Sequence, residues 1–174
     1  HITDPTAYIA FQVLFFSGMR FGELIALTYG DLDFQANTIN IDKSAQWKAS
    51  KRIVTPPKTD NGIRTVSMPS TVMQELKEYT NKIYGIESEH HIFNFTKTFI
   101  RGNIRRSAEK AEIKYIRIHD LRHSHVSLLI DMGFFPHLIA DRIGDTVQMV
   151  NNTYGHLYPD RHEEVAEKLD KILV

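Results

Sequence analysis

The sequence contains no cysteine among its 174 residues, which excludes disulfides and thiolate-ligated metal sites. Long apolar runs are also missing: the longest, around positions 8–16, is interrupted by Gln12 and is too short to span a bilayer. No secretory n-region precedes that run, so we expect a cytoplasmic protein without a membrane partner. The formal net charge is +0, which argues against indiscriminate coating of DNA.

Charge is nevertheless unevenly distributed along the chain. Six basic residues lie from Lys43 to Arg64, with Asp60 as the only acidic residue in that stretch. Eight basic residues lie from Lys97 to Arg122, against three acidic ones, whereas both ends of the chain are acidic on balance. One interpretation is a face that binds a polyanion, and the alternative is a set of solvated helix and hairpin faces.

The pattern predicts one mainly helical domain, residues 1–174, with a small antiparallel β-sheet. Asp4-Pro5 is typical of a helix start, and Ser17-Gly18 of its end. Strands are predicted at 38–41, 51–55 and 64–68, with Asp60-Asn61-Gly62 as a turn between the last two. Helices are predicted over 7–16, 21–27, 70–83, 98–111, 119–132, 136–143, 146–153 and 159–173.

Two phosphate-binding side chains are predicted to share one helical face. His119 and Arg122 are three residues apart, so they project from the same side of a helix. Arginine offers a planar fork of donors for two phosphate oxygens, and a nearby imidazole can donate to the same group or move a proton. The alternative is a surface helix with incidental charges, because an H-x-x-R spacing alone is common.

Two further cations are candidates for the same chemistry. Arg20 lies between strongly apolar segments, where it is either paired locally with Glu23 or held by Glu23 as a second arginine clamp. Lys58 lies close to the predicted hairpin tip, where a flexible cation can reach and protonate a leaving oxygen. The alternative for Lys58 is a solubilising surface lysine.

A tyrosine supplies the candidate nucleophile. Tyr154 lies near the end of a predicted short helix, 32 positions after Arg122. A free phenol has a pKa of about 10, so it needs neighbouring cations and a proton acceptor to attack at neutral pH. A structural role is the alternative for Tyr154, and Tyr158 is a rival nucleophile whose place before Pro159 is more typical of a packing contact.

Together these segments resemble the catalytic domain of the tyrosine recombinases, the phage-integrase family, over nearly the whole chain. The matching segments occur in family order: Ser17-Gly-Met-Arg20-Phe-Gly-Glu-Leu, the hairpin lysine followed by Arg64-Thr-Val-Ser-Met-Pro, His119-Asp-Leu-Arg122-His-Ser, and Thr153-Tyr154-Gly-His156-Leu. Four ordered matches are far more specific than any one of them.

The resemblance implies a mainly α fold and a role for each of five residues. Arg20 and Arg122 would bind the non-bridging oxygens of the scissile phosphate, and His119 would assist proton transfer. Lys58 would protonate the departing 5′ oxygen, and Tyr154 would attack to form a 3′-phosphotyrosyl bond. No metal or nucleotide cofactor is implied, because the arginines stabilise the transition-state charge.

The implied function is that of a bacterial or phage site-specific recombinase that cuts and rejoins double-stranded DNA at attachment sites. Self-assembly on DNA, as a tetramer in synapsis, and accessory DNA-bending proteins are implied as well. We expect residues 1–174 to be the C-terminal catalytic domain of a longer integrase that also carries a helical DNA-clamping domain. The alternatives are a type IB topoisomerase-like enzyme and a DNA-binding relative with impaired catalysis.

One position departs from the family pattern. The family usually has a histidine or tryptophan directly after the glycine at Ile143-Gly144, where this chain has Asp145. The stretch from Gly144 to Tyr154 is also short for the family, so the histidine is either replaced by Asp145 or deleted. A carboxylate near a phosphate is repulsive unless it is protonated or paired with a cation.

We favour a helix cap as the role of this departure. Asp145 or Thr146 would cap the following helix, and Asp145 with Gln148 resembles a capping box. On that interpretation Asp145→Ala lowers stability more than it lowers catalysis. His156 is left as a partial substitute for the missing phosphate donor.

Overall fold

Helices enclose two small antiparallel sheets in the part of the chain that the computed structural model describes, residues 1–57, 59–159 and 162–172. The α-helices are α1 (Pro5–Ser17), α2 (Phe21–Ala26), α3 (Ser70–Thr80), α4 (Lys97–Lys110), α5 (Asp120–Asp131), α6 (Pro136–Ile143), α7 (Val147–Tyr154) and α8 (His162–Asp170). The strands are β1 (Leu32–Asp33), β2 (Thr38–Ile41), β3 (Ser44–Lys48), β4 (Lys51–Thr55) and β5 (Arg64–Ser67). The predicted fold class is confirmed. No helix in these ranges is both long and apolar enough to cross a membrane.

The ends of α1 form as their residue types predict. Asp4 caps the helix through a hydrogen bond from the Ala7 backbone N–H at 2.9 Å, and Pro5 occupies the first turn. Gly18 ends the helix in the left-handed conformation, with φ 67°, and its N–H donates to the Leu14 carbonyl. The helix is apolar on every side because it is buried against α2, α3, α4 and α5.

The strand pairing differs from the predicted hairpin. β4 pairs with β3, and β5 pairs with β2 in a separate sheet of order β1-β2-β5. The segment Asp60–Gly62 is therefore not a hairpin turn but a 3-10 turn on the connection between two sheets. The hairpin turn itself is Ala49-Ser50, both with positive φ. Lys58, predicted near a hairpin tip, lies outside the described residues.

Two apolar clusters hold the helices in place. The first joins α1, α2, α3 and α4 to the inner faces of β2 and β5, where Ile39 pairs with Val66. The second joins α5, α6 and α7 and includes Val126, Ile143, Val150 and Tyr154. Because Tyr154 is part of this second core, its position depends on how α7 packs against α5 and α6.

Candidate active site

Arg20 is held at the start of α2 by Glu23. The Glu23 carboxylate accepts the Arg20 backbone N–H at 2.8 Å through Oε2, and Arg20 Nη1 at 3.1 Å through Oε1. Arg20 keeps an exposed side, and it also donates to the Gly144 carbonyl from Nη1 and Nη2, at 3.2 and 3.3 Å. The two interpretations of Arg20 therefore describe one arrangement, since the ion pair with Glu23 holds the same guanidinium that reaches Gly144.

Glu23 is shared with a second arginine. Arg64 Nη2 donates to Glu23 Oε2 at 2.8 Å, and both side chains are buried. Burial raises the pKa of the Glu23 carboxyl, but the hydrogen bond and charge of Arg64, with those of Arg20, outweigh it and lower the pKa below its ordinary value. Glu23 is therefore an ionised anchor for two cations.

Arg64 connects three elements around this anchor. Its Nε donates to the Arg142 carbonyl at 2.9 Å and its Nη1 to the Gly62 carbonyl at 3.1 Å. At Gly144, which has φ 66°, an added Cβ would lie 2.6 Å from Arg64 Nη1, so only glycine fits there. The sequence marked Arg64 as part of a motif, but its partners Glu23 and Arg142 are 41 and 78 positions away, beyond any local pattern.

Arg122 projects from α5 into the same region and is 4% exposed. Its Nη1 donates to the carbonyls of Gly18 at 2.8 Å and Ile143 at 2.6 Å. Burial, and then the charge of Arg20, lowers the pKa of Arg122 to about 10, so the guanidinium stays charged at neutral pH. Arg122 is thereby fixed by backbone groups, with Nη2 directed at the Asp145 carboxylate.

The carboxylate of Asp145 lies between the two arginines. Its Oδ2 accepts from Arg20 Nη2 at 2.8 Å and from Arg122 Nη2 at 3.1 Å. Its Oδ1 accepts the backbone N–H of Thr146 at 3.1 Å. One carboxylate oxygen thus receives the donors that the sequence interpretation assigned to a phosphate.

The predicted capping role of Asp145 is wrong, and that of Thr146 is confirmed. Thr146 is the N-cap of α7, and its Oγ1 accepts the Met149 backbone N–H at 3.1 Å. Asp145 precedes the cap, so it does not form a capping box with Gln148. Its Oδ2 is occupied by the two arginines, which are stronger partners than backbone amides because they are charged.

Tyr154, at the end of α7, is 5% exposed. Its hydroxyl lies 2.5 Å from Nδ1 of His123, and the two ring centroids are 5.6 Å apart. Burial raises the pKa of Tyr154; the charge of Arg122 opposes this, and that of Asp145 adds to it. The tyrosine is therefore a neutral phenol in this state.

His119 and His123, at the start of α5, have different positions. His119 is exposed at the start of the helix, and its ring lies edge-on to that of His123 with centroids 4.8 Å apart. Burial, His123, Arg122 and Arg20 together lower the pKa of His119. His123 was missed as a candidate by sequence reasoning, although it is one residue after Arg122 and one turn after His119.

The remaining candidates are less closely placed. Lys58 lies outside the described residues, but Pro57 and Thr59 line a cavity of about 840 Å³ together with Arg20 and Asp145. His156 is exposed in the 3-10 turn after α7.

Tyr158 packs against the second core, and its hydroxyl is buried without a hydrogen-bond partner among the described residues. Within the described residues, the arrangement gathers Arg20, His119, Arg122, Asp145 and Tyr154, and it does not bring Tyr158 to the arginines.

Known proteins are similar to this chain in sequence. The model of the phage integrase family matches residues 3–161. The ICEBs1 integrase of Bacillus subtilis is 36% identical over 177 residues, covering 94% of this chain and 48% of its own length. The integrase of Staphylococcus phage L54a is 28% identical over 182 residues, covering 94% of this chain and 51% of its own length. The chain thus spans about half the length of these relatives.

Structural similarity points to the same fold. The Tn1549 transposon integrase, solved in complex with circular intermediate DNA, superposes with a TM-score of 0.79 at 22% identity. The match covers 100% of this chain and 62% of that chain. Because the family model covers most of the sequence and the Bacillus relative aligns over nearly all of it, the chain belongs to the phage integrase family.

Proposed function

We propose that this domain cleaves and rejoins double-stranded DNA as a site-specific recombinase, through a 3′-phosphotyrosyl bond at Tyr154. The observation that carries the proposal is the convergence of Arg20 and Arg122 on one anion, the Asp145 carboxylate, beside the α7 helix that carries Tyr154. Two guanidinium groups directed at one oxygen form a fork suited to a phosphodiester.

The proposed reaction begins when the scissile phosphate takes the place of the Asp145 carboxylate. Arg20 and Arg122 then donate to its non-bridging oxygens and stabilise the charge that develops as Tyr154 attacks. His119 lies close enough to both arginines for their charges to lower its pKa, and it can assist proton transfer at the phosphate. Lys58, in a segment whose neighbours line the same cavity, is proposed to protonate the departing 5′ oxygen.

Exposed cations are proposed to hold the DNA backbone on either side of the site. Lys48 and Lys51 flank the turn of the β3–β4 hairpin, and Arg101 and Arg105 are exposed on α4. Such contacts carry affinity without sequence information and weaken as salt rises. Self-assembly on DNA, as a tetramer in synapsis, and the help of DNA-bending proteins are part of the proposal. We also propose that the protein acts in the bacterial cytoplasm, since the named relatives come from a bacterium and from a phage of bacteria.

The test is covalent capture on DNA of unspecified sequence. The purified domain is incubated with a pool of nicked duplexes that carry a randomised central segment, so that cleavage releases a short strand and traps the protein. We expect denaturation-resistant protein–DNA product with wild type and none with Tyr154→Phe. Tyr158→Phe is the matched control and should give product. Equal product from wild type and Tyr154→Phe would overturn the proposal.

A second measurement separates the recombinase from a type IB topoisomerase-like enzyme. Sequencing of the trapped strands should return a restricted set of cleavage sites, as a site-specific enzyme requires. Efficient relaxation of supercoiled plasmid of arbitrary sequence would instead favour the topoisomerase. Trapping by wild type in either case excludes the hypothesis of a DNA-binding relative without catalysis.

A further inference from the structure

The hydroxyl of Tyr154 contacts a histidine that lies outside the set of residues assigned above. We propose that His123 is the catalytic proton acceptor that takes the phenolic proton of Tyr154 when the tyrosine attacks the phosphate. The contact joins the Tyr154 hydroxyl to His123 Nδ1 at 2.5 Å. The inference rests on the proposed function, since it assigns one proton of that reaction.

A proton acceptor is required because the phenol is neutral before attack. Burial and the nearby Asp145 charge raise the pKa of Tyr154, which outweighs the opposing charge of Arg122. Displacement of Asp145 by the phosphate does not ionise the phenol, because the incoming phosphate restores a negative charge at the same place. The proton must therefore leave as the bond to phosphorus forms.

Other groups near the tyrosine are poorly placed to accept it. The Asp145 carboxylate makes its hydrogen bonds with Arg20, Arg122 and the Thr146 backbone, and none of these contacts is with the Tyr154 hydroxyl. Arg122 has donors only. His119 contacts the ring of His123, and within the described residues the hydrogen bond of the Tyr154 hydroxyl goes to His123.

The position of His123 is set by the fold. His123 lies on α5 and Tyr154 ends α7, and both helices pack into the second core around Val126 and Val150. The side chain of His123 is half-buried, so its ring is restrained beside the hydroxyl without being sealed from the surface. A base at hydrogen-bond distance with restrained orientation meets the geometric requirement for general base catalysis.

The step balances as follows. The Tyr154 oxygen forms a bond to phosphorus while the bond from phosphorus to the 5′ oxygen breaks, and the phenolic proton moves to Nδ1 of His123. The 5′ oxygen takes its proton from a separate donor, which we assign to Lys58. In rejoining, the 5′ hydroxyl attacks phosphorus and returns its proton to Lys58, while the bond from phosphorus to the Tyr154 oxygen breaks and that oxygen recovers its proton from His123.

A nearby carboxylate can stabilise the imidazolium that forms. Asp120 lies on the first turn of α5, and its pKa is lowered chiefly by the hydrogen bond from Arg117 and also by the charge of His123. The lowered pKa keeps Asp120 ionised at neutral pH. It therefore provides a negative charge near His123 throughout the reaction.

Two substitutions distinguish proton transfer from simple positioning. His123→Asn keeps a neutral hydrogen-bond acceptor close to the place of Nδ1, whereas His123→Ala removes it. If His123 only holds the tyrosine, Asn restores cleavage; if it takes the proton, Asn and Ala are both deficient. His137→Asn, on an exposed α6 histidine, is the matched control and should cleave like wild type.

The experiment measures single-turnover cleavage of the sequence recovered from the randomised pool, with an oxygen or a sulfur atom at the bridging 5′ position. We expect His123→Asn and His123→Ala to cleave at least about 100-fold more slowly than wild type on both substrates. Lys58→Ala should be slow on the oxygen substrate and restored on the sulfur substrate, because a thiolate leaves without a proton. DNA binding, measured by filter retention, should change less than about 3-fold in the His123 variants.

Each result decides the assignment. Cleavage by His123→Asn within about 3-fold of wild type, or restoration of the His123 variants by the sulfur substrate, would overturn the role of His123 while leaving the proposed function intact. Absence of covalent product from wild type would overturn the proposed function and this role with it. Slow cleavage by both variants on both substrates, with intact binding, establishes proton transfer by His123.

Discussion

Asp145 Oδ2 accepts a hydrogen bond from Nη2 of the buried Arg122 at 3.1 Å. The same oxygen accepts from Arg20, so the negative charge in the arginine fork comes from the protein itself. A phosphodiester and a carboxylate are both anions that arginine binds through planar, charge-assisted hydrogen bonds. Under the proposed function, DNA and Asp145 therefore compete for the same donors.

Asp145→Asn should tighten binding of DNA. The substitution removes the competing negative charge but keeps the size of the side chain, so we expect the dissociation constant of a cognate duplex to fall by about 3- to 10-fold at moderate salt. The measurement is fluorescence anisotropy with a labelled duplex. Asp141→Asn, on an exposed α6 position, makes the same change in net charge and is the control. Equal affinities of the two variants would show that only net charge matters.

Thr146→Ala should lower the free energy of unfolding, because Thr146, and not Asp145, caps α7. Thr146 Oγ1 accepts the Met149 backbone N–H, and loss of such a cap costs about 1 kcal/mol. Urea unfolding, followed by circular dichroism, gives the free energy of unfolding. Thr153→Ala, on an exposed position of the same helix, is the control for the loss of a threonine. A difference near zero between these variants would contradict the assignment of the cap.

Arg64→Met should destabilise the fold. Without Arg64, the buried Glu23 carboxylate keeps only the partly exposed Arg20 as an ionic partner. Removing one member of a buried pair costs about 3 to 5 kcal/mol, since the other charge is left without compensation. Urea unfolding of the single variants and of Glu23→Gln/Arg64→Met checks this. The double variant should lose less free energy of unfolding than the two single variants lose together, and additive losses would contradict the pairing.

Local rules predicted the helices well because the signals are local. Asp4, Pro5 and Gly18 act through contacts within three or four residues, and α6 has the predicted bounds of Pro136 to Ile143. The β3–β4 hairpin was not predicted, since Ser44–Lys48 offers only two apolar residues, Ala45 and Trp47, for an alternating pattern. Its Ala49-Ser50 turn also lacks the asparagine or glycine that usually favours positive φ.

The candidate site likewise contains some residues that local motifs predict and some contacts that only tertiary packing creates. Motifs singled out Arg20, Arg122 and Tyr154 as candidates, because the chemistry of phosphoryl transfer restricts the residue types that can perform it. The contacts of Asp145 could not be predicted, since Arg20 is 125 positions from it and only tertiary packing brings them together. His123 was hidden for the same reason: its partner Tyr154 is 31 positions away.

His125 is a buried histidine behind the site that should make stability depend on pH. It is 3% exposed, and its Nε2 accepts from Arg142 Nε at 3.1 Å, which requires the neutral ring. Burial, and then the charges of Arg142 and Arg122, lowers the pKa of His125 from 6.5 to about 4. The folded protein thus binds this proton less readily than the unfolded chain does.

Stability contributed by the neutral His125 should be fully present above about pH 6.5 and should be lost as pH falls toward about 4, because the unfolded chain takes up the proton first. A pKa gap of that size corresponds to about 3 kcal/mol at most. Urea unfolding between pH 4.5 and 7.5 (roughly the window set by these pKa values) measures the effect. His125→Gln keeps an acceptor for Arg142 but cannot titrate, so its free energy of unfolding should fall less steeply with acid. Identical slopes for the two proteins would show that other groups cause the acid loss.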